Sequence, residues 1–215
     1  MDGQNLLGTS LFKVEDIPFN PRHVILFVLI RSNASLGLHR SLGLIYAHIQ
    51  NDGTSRAILL MITFVSGDLL QTTADYIAQG VATGSQEGLG TGLARKISTK
   101  WPEVQQQFKK YTRITPFRGG DLFVVLPASG RPGVMYIATQ PDMYHATIPF
   151  LNRGLRNVVK YCHTKRIASV ALPKIGAGLG KLDWETDVKP LLAQYLTESE
   201  TIFFVYEDFK HVYEH

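Results

Sequence analysis

Beyond residue 60, short apolar runs rich in β-branched and aromatic residues alternate with longer segments whose apolar positions return every three or four residues. Residues 62–65, closed by Ser66 and Gly67, predict a strand and a turn. Further strands are predicted at 76–81, 122–126, 134–139, 167–172 and 202–206, the third and fourth of these six separated by a Gly/Pro turn at 129–133. The segments 90–100, 102–111, 147–164 and 184–196 predict helices. Leu151, Leu155, Val158 and Val159 repeat at helical spacing, and Pro102 suits a first helical turn. Strands that alternate with helices imply a mostly parallel sheet covered on both faces, hence an α/β domain.

The first sixty residues follow another pattern. From Ile17 to Asn51 there is no Asp or Glu, while Arg22, Arg31 and Arg40 recur among Leu, Ser and His. Three readings stay open: an organelle transit peptide, an extra strand and helix packed on the main domain, and a poorly ordered extension. Val24–Ile30 is β-like, and Asp2, Glu15 and Asp16 speak against a transit peptide. The division adopted is 1–60 as an N-terminal extension and 61–215 as the domain.

Composition narrows the class. Of 215 residues, 45% are hydrophobic and 19% charged, as in ordinary globular proteins. A net charge of +4 suits anionic small ligands, but no Lys/Arg run exceeds two residues, so sequence-specific nucleic-acid binding is not expected. The single cysteine, Cys162, forms no intrachain disulfide, which points to an intracellular setting, cytoplasmic or nuclear. It stands on the predicted inner face of a helix and reads as packing. The longest apolar run, Val24–Ile30, is too short to cross a bilayer. His211 and His215 lack the neighbouring Glu of a metalloprotease motif, and neither a metal nor a cofactor is expected.

Two segments carry a shared design, Gly88-Leu89-Gly90-Thr91-Gly92 and Gly176-Ala177-Gly178-Leu179-Gly180, each between a strand and a helix. Glycine lets a backbone approach an anion closely, and a following helix start adds partial positive charge. Two such loops face to face suit a diphosphate. The P-loop pattern fails, because Ile175 stands where its first Gly belongs and Leu182 replaces the Ser/Thr after Lys181. The dinucleotide fingerprint fails too, since its acidic ribose ligand would fall in the helical segment 102–111.

The series Ile62-Thr63-Phe64-Val65-Ser66-Gly67-Asp68-Leu69, Ile77-Ala78-Gln79-Gly80, the first Gly loop, and Leu172-Pro173-Lys174-Ile175-Gly176-Ala177-Gly178-Leu179 closing on Leu182-Asp183-Trp184 resembles the macrodomain family. Within it the chain looks most like the branch holding the terminal ADP-ribose protein glycohydrolase and the antitoxin macrodomain that reverses DNA ADP-ribosylation. The resemblance implies a three-layer α/β/α fold with a mostly parallel mixed central sheet, and ADP-ribose as ligand, free or on a macromolecule, for a monomeric domain. It places Asp68 at the adenine amino group with Leu69 beside it, or leaves Asp68 as a helix cap. Gly90, Thr91, Gly92 and Leu93 would line the diphosphate and distal ribose, with Gly176, Ala177, Gly178, Leu179 and Gly180 closing from the other side. Tyr206 would lie against the adenine, or in the core.

The chain also departs from the family. The Asn that commonly precedes the first loop is missing from residues 81–87, which carry a small insertion. The branch's nucleophilic Lys aligns with Thr139-Gln140 and its loop Asp with Gly180, so neither an amine nucleophile nor a carboxylate base stands there. Substitutes are Asp183, which also reads as a helix N-cap, and His145, on a loop with Asp142 that borders the distal ribose; Glu87 is a further rim carboxylate. The resemblance favours hydrolysis at the distal ribose, as a mono-ADP-ribosyl hydrolase or an ADP-ribose-1″-phosphate phosphatase. A non-catalytic ADP-ribose reader is the alternative, and a scaffold that has lost its ligand a third reading.

Overall fold

The computed structural model describes residues 24–30, 41–47, 62–83, 87–197 and 199–208. Met61, residues 84–86 of the insertion, and the pair His211 and His215 lie outside the described residues, as does most of the first sixty. Eight strands form one sheet: β1 (Val24–Ile30), β2 (Ser41–Ala47), β3 (Ile62–Ser66), β4 (Tyr76–Ala82), β5 (Leu122–Val125), β6 (Gly133–Gln140), β7 (Ser169–Pro173) and β8 (Ile202–Asp208). Their order is β1-β2-β3-β8-β7-β4-β6-β5. The central strands β3, β8, β7, β4 and β6 run parallel. β5 is antiparallel to β6 at one edge, and β1 and β2 pair antiparallel at the other. The run 24–30 is thus a paired strand. Residues 41–47 form a second strand, where the sequence also allowed a helix; Leu42, Leu44 and Tyr46 recur at every second position, the period of a strand.

Helices cover both faces. α1 (Gly92–Lys100) and α2 (Pro102–Ile114) bury Ile97, Val104 and Phe108 against Ile77, Val134 and Tyr136. On the opposite face, α3 (Ile148–Lys165) and α4 (Lys189–Leu196) bury Leu151, Leu155, Val158 and Leu192 against Met135, Ile137, Val170 and Leu172. β6 shows why a central strand reads as continuously apolar. Val134, Tyr136 and Ala138 serve one core, and Met135 and Ile137 the other. The result is the expected three-layer α/β/α arrangement. Cys162 is fully buried in the α3–α4 core, and desolvation pushes its thiol up to about 11, so it packs rather than reacts.

Candidate functional site

β4 is where the sheet divides, because its parallel neighbours β6 and β7 lie on opposite sides of it. It pairs with β6 along its whole length, but with β7 only at Tyr76–Val170 and Ile77–Ala171. Beyond that point the two strands part, and a cleft of about 210 Å³ opens at their carboxyl ends. Open α/β sheets hold ligands at this edge.

The cleft is built from both glycine loops. Thr91, Gly92, Leu93 and Ala94 form one wall, and Gly176, Gly178, Leu179 and Gly180 the other. Thr91 is the N-cap of α1, yet its side chain makes no capping hydrogen bond, whereas Thr147 at the head of α3 accepts one from the Phe150 N–H at 3.4 Å. The first turn of α1 therefore brings backbone donors and the positive helix end to the cleft with no side-chain acceptor on them. The second loop is folded on itself. Leu182 N–H donates to the Gly176 carbonyl at 3.1 Å and Lys181 N–H to that of Gly178 at 3.2 Å. Ala146 N–H donates to the Gly180 carbonyl at 2.9 Å, which ties the loop after β6 to it.

The floor is polar in an unusual way. Gln79 and Thr139 are 1% and 0% exposed and line the cleft, and among the described residues neither the Gln79 carboxamide nor the Thr139 hydroxyl has a hydrogen-bond partner. Buried polar groups nearly always have partners. Two side chains without them, from neighbouring strands and beneath one cleft, offer donors and acceptors to a hydroxyl-bearing ligand or to water.

A family model for the Macro domain matches residues 82–190, a span that begins at the last residue of β4 and holds both loops together with β5, β6 and β7. The chain belongs to the macrodomain family. A Mycobacterium tuberculosis protein named DNA ADP-ribosyl glycohydrolase is 29% identical over 139 residues, 63% of this chain and 39% of that protein. The chain thus matches well under half the length of that relative. A human ADP-ribose glycohydrolase is 27% identical over 126 residues, 58% of this chain and 77% of that protein. Among solved structures, the macrodomain of Mycobacterium tuberculosis DarG superposes with a TM-score of 0.59 at 28% identity, covering 67% of this chain and 97% of that one. The corresponding Thermus aquaticus macrodomain gives 0.61 at 27%, with 68% and 98% covered.

Of the residues expected at the ligand, the macrodomain brings seven into the cleft: Thr91, Gly92, Leu93, Gly176, Gly178, Leu179 and Gly180. Gly90 ends the short 3-10 turn Glu87–Gly90 just before the wall, and Ala177 packs against the α3–α4 core. Asp68, Leu69 and Tyr206 lie along the same carboxyl edge but do not line the cleft. Asp68 Oδ1 accepts from Leu70 N–H at 2.9 Å and caps the turn Leu69–Gln71, Leu69 is buried, and Tyr206 packs against the α1–α2 core.

The two expected catalytic groups stand outside the cleft as well. His145 Nδ1 lies 2.9 Å from Asp142, both side chains more than half exposed, on the loop whose Met143 does line the cleft. The Tyr144 backbone N–H first, and His145 second, hold the Asp142 carboxyl below its ordinary range. Asp183 Oδ1 accepts from Thr186 N–H at 2.7 Å, and Asp183 N–H donates to Asp187 Oδ2 at 3.0 Å. This is a reciprocal cap on the helical turn Trp184–Val188, and the Thr186 bonds keep the Asp183 carboxyl below its usual range. Among the described lining residues, Lys174 is the charged one, with Nζ 5.6 Å from the centre of the Trp184 ring. Reading the sequence alone did not single out Gln79 or Met143 as cleft residues. A Gln in an otherwise apolar strand, Tyr76–Ala82, was the available signal for the first.

Proposed function

We propose that the cleft binds ADP-ribose, free or carried on a macromolecule, with its diphosphate between the two glycine loops. The observation that carries this reading is the convergence of both loops on one opening where β4 and β7 part. Backbone donors at the uncapped start of α1 meet the phosphates, where helix polarity favours negative charge. Gln79, Thr139 and Gln140 supply neutral partners for the distal ribose hydroxyls. The free oxygen of the Asp68 carboxylate accepts the adenine amino group, with Tyr206 beside the ring.

Hydrolysis at the distal ribose is the second reading, favoured by the relatives named as glycohydrolases and by the Asp142–His145 pair next to Met143. In that reading His145 activates water. Asp183 is the lesser candidate, because its carboxylate is engaged in capping. A lysine adduct is not available at Thr139-Gln140. The neutral floor and glycine walls favour recognition over turnover. Calorimetry with ADP-ribose and AMP tests the binding claim. ADP-ribose binds at least tenfold tighter, about 1.4 kcal/mol, because a second phosphate and the distal ribose are engaged. Equal affinities refute it. Incubation with ADP-ribosylated protein, ADP-ribosylated DNA and ADP-ribose-1″-phosphate, read by mass spectrometry, then separates the readings, since product release establishes hydrolysis.

A further inference from the structure

A second groove lies against the exposed side of α1. Leu70, Gly92, Arg95, Lys96, Thr99 and Lys100 line a space of about 530 Å³, and Gly92 belongs both to this groove and to the cleft. α1 carries three cationic side chains and no Asp or Glu in its nine residues. Lys96 and Lys100 stand one turn apart, an arrangement that opposes helix formation. The excess is regional. Residues 92–118 hold seven Lys/Arg and one Glu, against a net charge of +4 for the whole chain. That glutamate, Glu103, pairs with Arg131 at 2.9 Å and faces another cation. Arg95, Thr99 and Lys100 are exposed. Lys100 is held at the groove wall, its Nζ donating to the Leu70 carbonyl at 2.8 Å and lying 4.9 Å from the centre of the Trp101 ring. That bond uses one of the three donors of an ammonium. The carboxylate nearest in sequence to Leu70, Asp68, is turned onto the Leu70 N–H.

We propose that this groove is a phosphate subsite for a phosphate ester on the adenosine ribose, so that the protein prefers ADP-ribose carrying a 2′-phosphate over ADP-ribose itself. The proposal rests on the ADP-ribose reading of the cleft. With the adenine at Asp68–Leu69 and the diphosphate at Gly92, the adenosine ribose lies between them, beside a groove that both Leu70 and Gly92 line. A phosphate on that ribose faces Arg95, Thr99 and Lys100. The planar guanidinium of Arg95 presents paired donors that match two phosphate oxygens, and the Thr99 hydroxyl one turn further on adds a third.

Calorimetry on the full chain compares ADP-ribose with ADP-ribose 2′-phosphate at low and high salt. The phosphorylated ligand binds about two- to fivefold tighter at low salt, the range for an exposed charge pair, and the advantage shrinks as salt rises. Arg95→Gln, outside the cleft lining, abolishes the advantage and leaves the affinity for ADP-ribose unchanged. Equal or weaker binding of the phosphorylated ligand overturns the subsite alone. An advantage that survives in both Arg95→Gln and Lys100→Gln places the phosphate elsewhere and also overturns it. Failure of both ligands to bind refutes the cleft reading and the subsite with it.

Discussion

Gly178 and Gly180, two residues apart in one loop, should respond to the same substitution in opposite ways. Gly178 is exposed, its φ is not positive, and a Cβ built on it meets nothing within 4 Å. Gly180 is buried, and its Cβ would stand 2.5 Å from Ala146 Cβ and 2.5 Å from the Gly176 carbonyl oxygen. Gly178→Val therefore leaves the fold alone and adds bulk to the cleft wall opposite the α1 donors assigned to the diphosphate. Losing two charge-assisted hydrogen bonds at about 1.5–3 kcal/mol each weakens ADP-ribose binding by a hundredfold or more. Gly180→Val forces backbone to move. Overpacking of this kind costs about 1–3 kcal/mol, a fall in Tm of roughly 2–12 °C for a chain of this size. Thermal denaturation with and without ADP-ribose reads both effects. In the wild type, ligand at a hundred times Kd adds about 2.7 kcal/mol of stability. Gly178→Val should match the wild-type Tm without ligand and show no shift with it, while Gly180→Val starts lower. A Gly178→Val protein that ADP-ribose stabilises as it does the wild type would show that the diphosphate does not pass over this loop.

Three further outcomes follow from the same geometry. Gln79→Met removes a buried carboxamide that has no partner, so the free protein keeps or gains Tm while ADP-ribose binds about tenfold more weakly, the equivalent of one hydrogen bond; unchanged affinity by calorimetry would take Gln79 out of the ligand's contacts. Asp183→Asn preserves the cap on the turn Trp184–Val188 and leaves ADP-ribose binding as it was, whereas Asp183→Ala lowers Tm. Because the native carboxyl is held below its ordinary range, the stabilisation is present above about pH 3.9 and disappears as pH falls through the lower native value, so the Tm gap between wild type and Asp183→Ala closes only in strong acid. A chain beginning at Met61 retains ADP-ribose binding, since the cleft is lined from Gln79 to Gly180, but it uncovers the edge of β3 that β2 pairs with. It should self-associate on size-exclusion chromatography, and a fragment folded by circular dichroism yet unable to bind would place residues 1–60 in the site.

By itself, the sequence determined the α/β class, the family, and the two loops that carry the chemistry. These are local properties. Strand and helix periods are written in spacings such as Leu151, Leu155 and Val158, and the loops in glycines that follow apolar strands. Even the strand at 24–30 was visible as an apolar run, whereas the second, at 41–47, was not singled out from the sequence. Tertiary structure decided the rest, because it turns on which groups from distant segments meet. The β4–β7 ladder stops at Ile77–Ala171, and that register alone opens the cleft and sets its walls. The pairing of β4 with β6 brings Gln79 and Thr139 together beneath the opening, and the packing of α1 sets its basic side against Leu70. Asp68 and Asp183 show the limit of local reading most clearly. Each could be read as a ligand contact or as a cap, and the position of a backbone N–H, 2.9 Å away for one and 2.7 Å for the other, decides that both cap. Capping uses one oxygen of each carboxylate, so what remains for a ligand is set by where each second oxygen points, and only the packing of whole elements fixes that direction.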